Sequence, residues 1–343
     1  MMRLRSLPVQ RLGRFDPGEE ECCLWWAGSG IRMRLACSYL YLEAEADWTD
    51  QAVWIGVMAD GAPVARFPLQ RGRHVFPLLE GMDPDVSHEI MVLRDTQPCG
   101  DQPVPVILHA LDTDGTPEMP ACRKRLVEFI GDSLTVGEGC IGPRNAADWR
   151  MAWMSHMSSY PCLVSEQVQA DSRVIAVSGW GVWKSWDSDP LHRLGAVYDK
   201  LCPVISCGDV PYAFRERPAD AVVINLGTND YSALSREQDR PDAERQMTVR
   251  AEEMIALVRA RQPDAPILWA YGLCGNGAER LLRLAVDRVR AAGDEKVIYL
   301  PLDSCGADLG SLNHPGREAH RRAALQIVRA LRHLWGTDGS SDG

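Results

Sequence analysis

Along the first third of the chain, apolar and polar residues take turns. In IRMRLACSYLYLEAEA (31–46), Ile31, Met33, Leu35 and Cys37 fall on one face, and Leu40, Leu42, Ala44 and Ala46 on another. A period of two is that of a strand with one buried face, and the change of parity near Ser38 predicts a bulge or a turn between two strands. VWIGVMADGAPVARFPL (53–69) reads as a strand, an Asp60-Gly61 turn and a second strand, the signal of a two-residue hairpin. RHVFPLL, HEIMVLRDT and VPVILHALDT add further short strands. Helical periodicity is weak throughout, so residues 1–118 are expected to form an antiparallel β-sandwich of jelly-roll type.

DTDGTPEMPACRKR (112–125) reads as a linker, and after it the pattern changes. Short apolar runs, RLVEFI (125–130), RVIAVS (173–178), DAVVIN (220–225), PILWAYG (266–272) and KVIYLPL (296–302), are separated by stretches of helical period. In 244–262 the apolar positions are Met247, Met254, Ile255, Leu257 and Val258; 278–292 and 316–335 follow the same rule. Strand alternating with helix predicts a parallel sheet covered on both faces, a three-layer α/β/α domain over 119–336. The tail, 337–343, lacks apolar residues and is expected to be flexible.

Composition narrows the function. The chain has 343 residues, 45% hydrophobic and 24% charged, with a formal net charge of −10. That charge disfavours nucleic acid, and a neutral or cationic small substrate fits better. The N-terminus has basic residues but no apolar run of about 7, so no signal peptide is expected, and no stretch approaches the roughly 18 apolar residues of a membrane span. The expected compartment is cytoplasmic, with no membrane partner. Of the eleven cysteines, Cys22, Cys23, Cys37, Cys99, Cys122, Cys140, Cys162, Cys202, Cys207, Cys274 and Cys305, none forms a CxxC pair. Reduced thiols filling core space are expected rather than disulfides or a zinc site. His74, His88 and His109 lack ligand spacing, and no nucleotide-binding glycine motif occurs, so no metal or other cofactor is implied.

The strand ends carry the candidate chemistry. In a parallel α/β sheet, reactive groups gather beyond the carboxyl ends of the strands. EFIGDSLTVGEG (128–139) ends an apolar run on Gly131-Asp132-Ser133, the next run ends on Ser178-Gly179-Trp180-Gly181, and the third leads into Gly227-Thr228-Asn229-Asp230. His314 lies in GSLNHPGREAH, ahead of the last helix. A serine hydroxyl is a weak nucleophile until a base takes its proton. Ser133 is the candidate nucleophile and His314 the candidate base. The N–H groups of Ser133 and Gly179 and the side-chain amide of Asn229 are candidate donors to an oxyanion. Asp132, Asp230 and Asn225 read as structural.

These blocks, GDSL (131–134), SGWG (178–181), GTND (227–230) and NHPG (313–316), resemble the GDSL or SGNH hydrolases, over about 125–336. The resemblance implies a flavodoxin-like SGNH fold with Ser133, Gly179, Asn229 and His314 in the roles just named. A β-sandwich ahead of such a domain is similar to the family-two carbohydrate esterases, which remove acetyl groups from sugars, and the same layout resembles GDSL acyltransferases of antibiotic biosynthesis. An acetylated oligosaccharide or other small acyl ester is the implied substrate; an acyltransferase, or a carbohydrate-binding protein with an impaired site, are the alternatives. Oligomeric state, a homo-oligomer included, stays open.

The chain departs from the family pattern at one place. The acid usually found three residues before the histidine is Ser311 here. Either Asp308 reaches the ring as third member, or a backbone carbonyl holds it in a Ser–His dyad, or the site is impaired. Of the tryptophans near the motifs, Trp149, Trp153, Trp180, Trp183 and Trp186, the pair Trp180 and Trp183 flank Gly179 and are expected to line a sugar pocket; Trp269 is expected in the core. The Met- and Trp-rich stretch 140–161 is expected to form a lid or pocket wall, with His156 a polar surface residue.

Overall fold

The structure, a computed structural model, describes residues 1–16, 21–98, 104–202, 210–214 and 217–337. Cys99, Cys207 and nearly all of the tail expected to be flexible, 338–343, lie outside the described residues.

Among the described residues, ten strands build the N-terminal half. They are β1 (Met2–Arg3), β2 (Gln10–Leu12), β3 (Cys22–Leu24), β4 (Gly30–Leu35), β5 (Tyr39–Ala46), β6 (Trp54–Ala59), β7 (Ala62–Pro68), β8 (Gly72–Glu80), β9 (His88–Arg94) and β10 (Val106–Thr113). One antiparallel sheet has the order β1-β10-β5-β8, with β3 also on β10; the other has the order β2-β4-β9-β6-β7. The parity change near Ser38 is the point where the chain leaves one sheet for the other, since β4 pairs with β9 and β5 with β8 and β10. Ile31, Met33, Leu35 and Cys37, then Leu40, Leu42, Ala44 and Ala46, all point into the core between the sheets. The hairpin turning at Asp60–Gly61 joins β6 to β7. β1, β2 and β3, two or three residues each, are too short for alternation to mark them.

The C-terminal half is a five-stranded parallel sheet of β11 (Arg125–Gly131), β12 (Ala170–Ala176), β13 (Ala221–Asn225), β14 (Ile267–Tyr271) and β15 (Val297–Pro301), in the order β12-β11-β13-β14-β15. Helices α2 (Tyr160–Gln167) and α6 (Arg317–Leu334) pack together on one face, α4 (Arg240–Arg261) and α5 (Glu279–Ala291) on the other. The apolar residues divide accordingly: Val127, Phe129, Val223 and Leu268 meet α6 residues such as Ala323 and Ile327, while Ile130, Ile224 and Trp269 meet α4 and α5 residues such as Met254 and Leu282. The chain runs from β11 outward to β12 and then returns to β13 on the other side. That reversal opens a crevice beyond the carboxyl ends of β11 and β13, where such sheets bind ligands.

The two halves are joined by polar contacts. Arg14, wholly buried, reaches from the sandwich to the buried carboxylate of Glu128 on β11, at 3.7 Å. Arg173 and the Tyr198 hydroxyl complete that carboxylate's surroundings at 3.2 and 2.6 Å. Arg123 bridges Glu89 of the sandwich and Glu166 of α2.

The stretch 140–161 lies at one end against the turn before His314, where the Ala146 carbonyl accepts from the Leu312 N–H. Met151, Met154, His156 and Met157 are buried, and the segment is wedged against the second sandwich sheet. The Ser155 hydroxyl and the Met157 N–H donate to Asp95, the His156 N–H donates to the Asp95 carbonyl, and Arg66 donates to the Ala152 and Met154 carbonyls and to Asp95. His156 therefore is no surface residue: it packs on Gly28, and burial lowers its pKa to about 4. The thiol expectation also needs correcting. Cys202 is disulfide-bonded, and Cys122 and Cys274 are exposed rather than core-filling. No helix among the described residues is long and apolar enough to cross a membrane.

Candidate active site

Beyond β11 the chain makes one tight turn of helix, α1 (Ser133–Val136), and this turn is the hub of the site. Asp132 caps it, its Oδ1 accepting from the Leu134 N–H at 3.1 Å. Gly137 ends it in the left-handed region, and the Glu138 N–H returns to the Ser133 carbonyl at 2.9 Å. Ser133 stands at the crevice, 5% exposed. Its N–H, the first of a helical turn, has no backbone partner within that turn. Among the described residues it has no other hydrogen-bond partner.

Three other chain segments converge on residues 131–139. From β13, which runs into α3 (Thr228–Leu234), Asn229 donates its Nδ2 to Asp132 Oδ2 at 3.0 Å and to the Trp180 carbonyl at 2.8 Å. From the end of β12, the Ser178 hydroxyl donates to Glu138 Oε2. From the approach to α6, the His314 Nε2 lies 3.8 Å from Glu138 Oε1. Gly139 permits that approach, because a Cβ there would stand 2.5 Å from the Ser311 carbonyl and 3.0 Å from His314 Cβ. Ser133, Asn229, Gly179 and His314 are thus brought to one turn of chain.

The oxyanion candidates differ in readiness. The Gly179 N–H, like that of Ser133, has no partner among the described residues. Gly179 has φ +82, and a side chain there would meet the Trp186 indole at 2.9 Å. Its loop is fixed from both sides: the Ser178 N–H donates to Gln97 Oε1 of the sandwich at 2.7 Å, and the N–H groups of Val182, Trp183 and Lys184 donate to Asp230. Asn229 already has an acceptor for each Nδ2 hydrogen, so it must exchange one to bind an oxyanion. Asp132 is wholly buried, and burial first, then the carboxylates of Asp230 and Glu138, pushes its pKa up to about 8.

Two sets of candidates are placed elsewhere. Asp308 is not on the histidine: its carboxylate accepts from the Ala319 N–H in the first turn of α6, and its carbonyl from the Gly316 N–H. The structure gives it the capping work that Gly316, the residue before the helix, cannot do with a side chain. Nor does a carbonyl hold the ring, since His314 Nδ1 is buried without a partner among the described residues. Trp180 and Trp183, 6% and 4% exposed, belong to the core beneath the loop, the first stacked on His192 at 5.0 Å and the second bonded to Gln246. Both indoles turn inward because the loop's N–H groups converge on the buried Asp230.

Two further residues stand at the site. Trp186 is 56% exposed, its ring beside Gly179 and the Arg236 guanidinium 5.9 Å from its centroid. Glu138 is buried and, among the described residues, is the acid in ion-pair range of His314. Its signal in the sequence was an acid five residues past the serine in a stretch of glycines and apolar residues. His314 itself is presented on a strained turn, with Leu312 at φ +54 and Asn313 at φ +58. Such conformations cost about 1–3 kcal/mol each and persist where surrounding bonds enforce them. Here the Ser311 N–H donates to the Gly139 carbonyl, the Leu312 N–H to Ala146 and the Gly310 N–H to the His314 carbonyl.

A serine turn at the switch point of a 2-1-3-4-5 sheet, with a histidine from the last loop 3.8 Å from an acid of the same turn, is the layout of a hydrolase class. Residues 129–333 match the GDSL-like lipase/acylhydrolase family, and the chain belongs to it. Over nearly its whole length it is similar to an acetyl xylan esterase from the rumen bacterium Butyrivibrio proteoclasticus: 27% identity, 97% of each chain covered, TM-score 0.91. A family two carbohydrate esterase from Clostridium thermocellum, solved with cellohexaose, shares the fold at 23% identity, 96% of this chain and 99% of that one covered, TM-score 0.85. Among curated proteins, the cellulase/esterase CelE of Acetivibrio thermocellus is 24% identical over 94% of this chain. The chain spans 39% of that relative's length.

Proposed function

We propose that this chain is a carbohydrate esterase that removes O-acetyl groups from oligosaccharides through an acyl-enzyme on Ser133. The observation that carries the reading is the convergence of Ser133, Gly179, Asn229 and His314 on the turn at 131–139. His314 takes the Ser133 proton as Oγ bonds the ester carbonyl carbon, and returns it to the departing sugar hydroxyl. The N–H groups of Ser133 and Gly179 bind the oxyanion, joined by Asn229 once it releases one of its present acceptors. Water then cleaves the acyl-enzyme. The exposed face of Trp186 beside Gly179 suits the apolar face of a sugar ring, and the similar acetyl xylan esterase supports an acetylated sugar as substrate. The disulfide at Cys202 favours an oxidising compartment over the cytoplasmic one expected from the sequence.

The test is acetate release from a panel of acetylated xylo-, manno- and cello-oligosaccharides, followed by mass spectrometry. The intact chain is expected to shift products by the mass of an acetyl group, and Ser133→Ala to leave every substrate unchanged. Deacetylation by Ser133→Ala at the native rate would refute the assignment.

A further inference from the structure

Where the family pattern has its acid, this chain has Ser311, whose side chain offers no charge. Asp308 is engaged at the start of α6. Yet the imidazolium formed when His314 takes the serine proton needs a compensating charge. We propose that Glu138 supplies it, as the positioning residue that stabilises the charged form of His314; this rests on the Ser133–His314 reading above.

The argument is geometric. Glu138 lies in the same turn as the nucleophile, its N–H bonded to the Ser133 carbonyl at 2.9 Å, so hydroxyl and carboxylate are held as one unit. Its two oxygens are divided: Oε2 accepts from the Ser178 hydroxyl, and Oε1 faces His314 Nε2 at 3.8 Å. The side chain is buried, so its charge is less screened than at the surface. Asp132, the other carboxylate of the turn, already has its oxygens on the Leu134 N–H and Asn229 Nδ2. At 3.8 Å the contact is longer than a hydrogen bond, so Glu138 acts by charge, not by fixing a tautomer. No proton passes to it. The Ser133 proton moves to the imidazole as the Oγ–C bond forms, and from there to the leaving oxygen as the ester C–O bond breaks.

Glu138→Gln keeps the shape and an acceptor for Ser178 but removes the charge. In the intact chain, with p-nitrophenyl acetate, it is expected to lower kcat by about 10- to 100-fold, less than the loss of a hydrogen-bonded triad acid. KM is expected to stay within about threefold, because the ground state is little affected. Glu138→Asp, which restores the charge, is expected to recover part of the lost rate; a structural role would not favour Asp over the isosteric Gln. Native kcat in Glu138→Gln, or no advantage of Asp over Gln, overturns the proposal. Should Glu138→Gln fail to fold, Ser178→Ala decides: a several-fold fall in kcat at constant KM supports the proposal, and an unchanged kcat overturns it. A native chain inactive on every ester, or an active Ser133→Ala, removes the underlying reading and this proposal with it. Native activity lost in Ser133→Ala but kept in Glu138→Gln removes only this one.

Discussion

The carboxylate of Asp308 accepts the Ala319 N–H, so its charge serves the first turn of α6. Asp308→Asn keeps an oxygen there but loses the charge, and is expected to cost about 0.5–1 kcal/mol of stability. Its kcat should stay within about threefold of native, since only orders of magnitude mark a triad acid. Denaturant unfolding and ester kinetics on the same preparation check both numbers. A hundredfold fall in kcat would return Asp308 to the catalytic machinery. Spacing along the chain pointed to Asp308 because it was the nearest upstream acid, and nothing in a sequence tells that the helix start will claim it. Glu138 carries no such signal, since an acid next to glycines has an ordinary reading as a turn residue. Only the fold shows it buried between Ser178 and His314.

At the scale of elements, the strands and helices of the parallel half were legible because each apolar run and each helical repeat is long enough to show its period. The segment 140–161 was not. Its methionines announced burial but not what would bury them, and the answer is the second sandwich sheet, through Arg66, Asp95 and Gly28. His156 makes this wedge pH-sensitive. Its folded pKa of about 4 lies below the roughly 6.5 of an exposed histidine. The unfolded chain therefore binds the proton first, and stability contributed by neutral His156 is present above pH ~6.5 and is lost as pH falls toward ~4, up to about 3 kcal/mol. His156→Gln is expected to flatten the dependence of the melting temperature on pH between about 4 and 6.5. An identical slope in the variant would show that His156 is not protonated on unfolding.

For the whole molecule, the sandwich is part of the site's framework. Gln97, on the sandwich side, accepts the Ser178 N–H at 2.7 Å and so steadies the loop that carries Gly179. Gln97→Ala leaves that N–H unpaired and is expected to lower kcat by about tenfold while the fold persists, because in the proposed mechanism loosening the Gly179 loop costs transition-state stabilisation. Full activity in Gln97→Ala would make the sandwich a neighbour only. Alternation along 31–46 was enough to foresee the sandwich, and the four motif blocks enough to foresee which strand ends meet. The buried ties between the halves could not be foreseen, since Arg14, Glu128 and Gln97 look like ordinary polar residues until packing removes them from water.

Ser133 is the proposed attacking residue. That role is tested most directly by treating the native chain with a fluorophosphonate, which labels an activated serine, and mapping the adduct by peptide mass spectrometry. A single adduct on Ser133, absent from Ser133→Ala and much slowed in His314→Ala, is the predicted result. No adduct at Ser133, or equal labelling with and without His314, would contradict it.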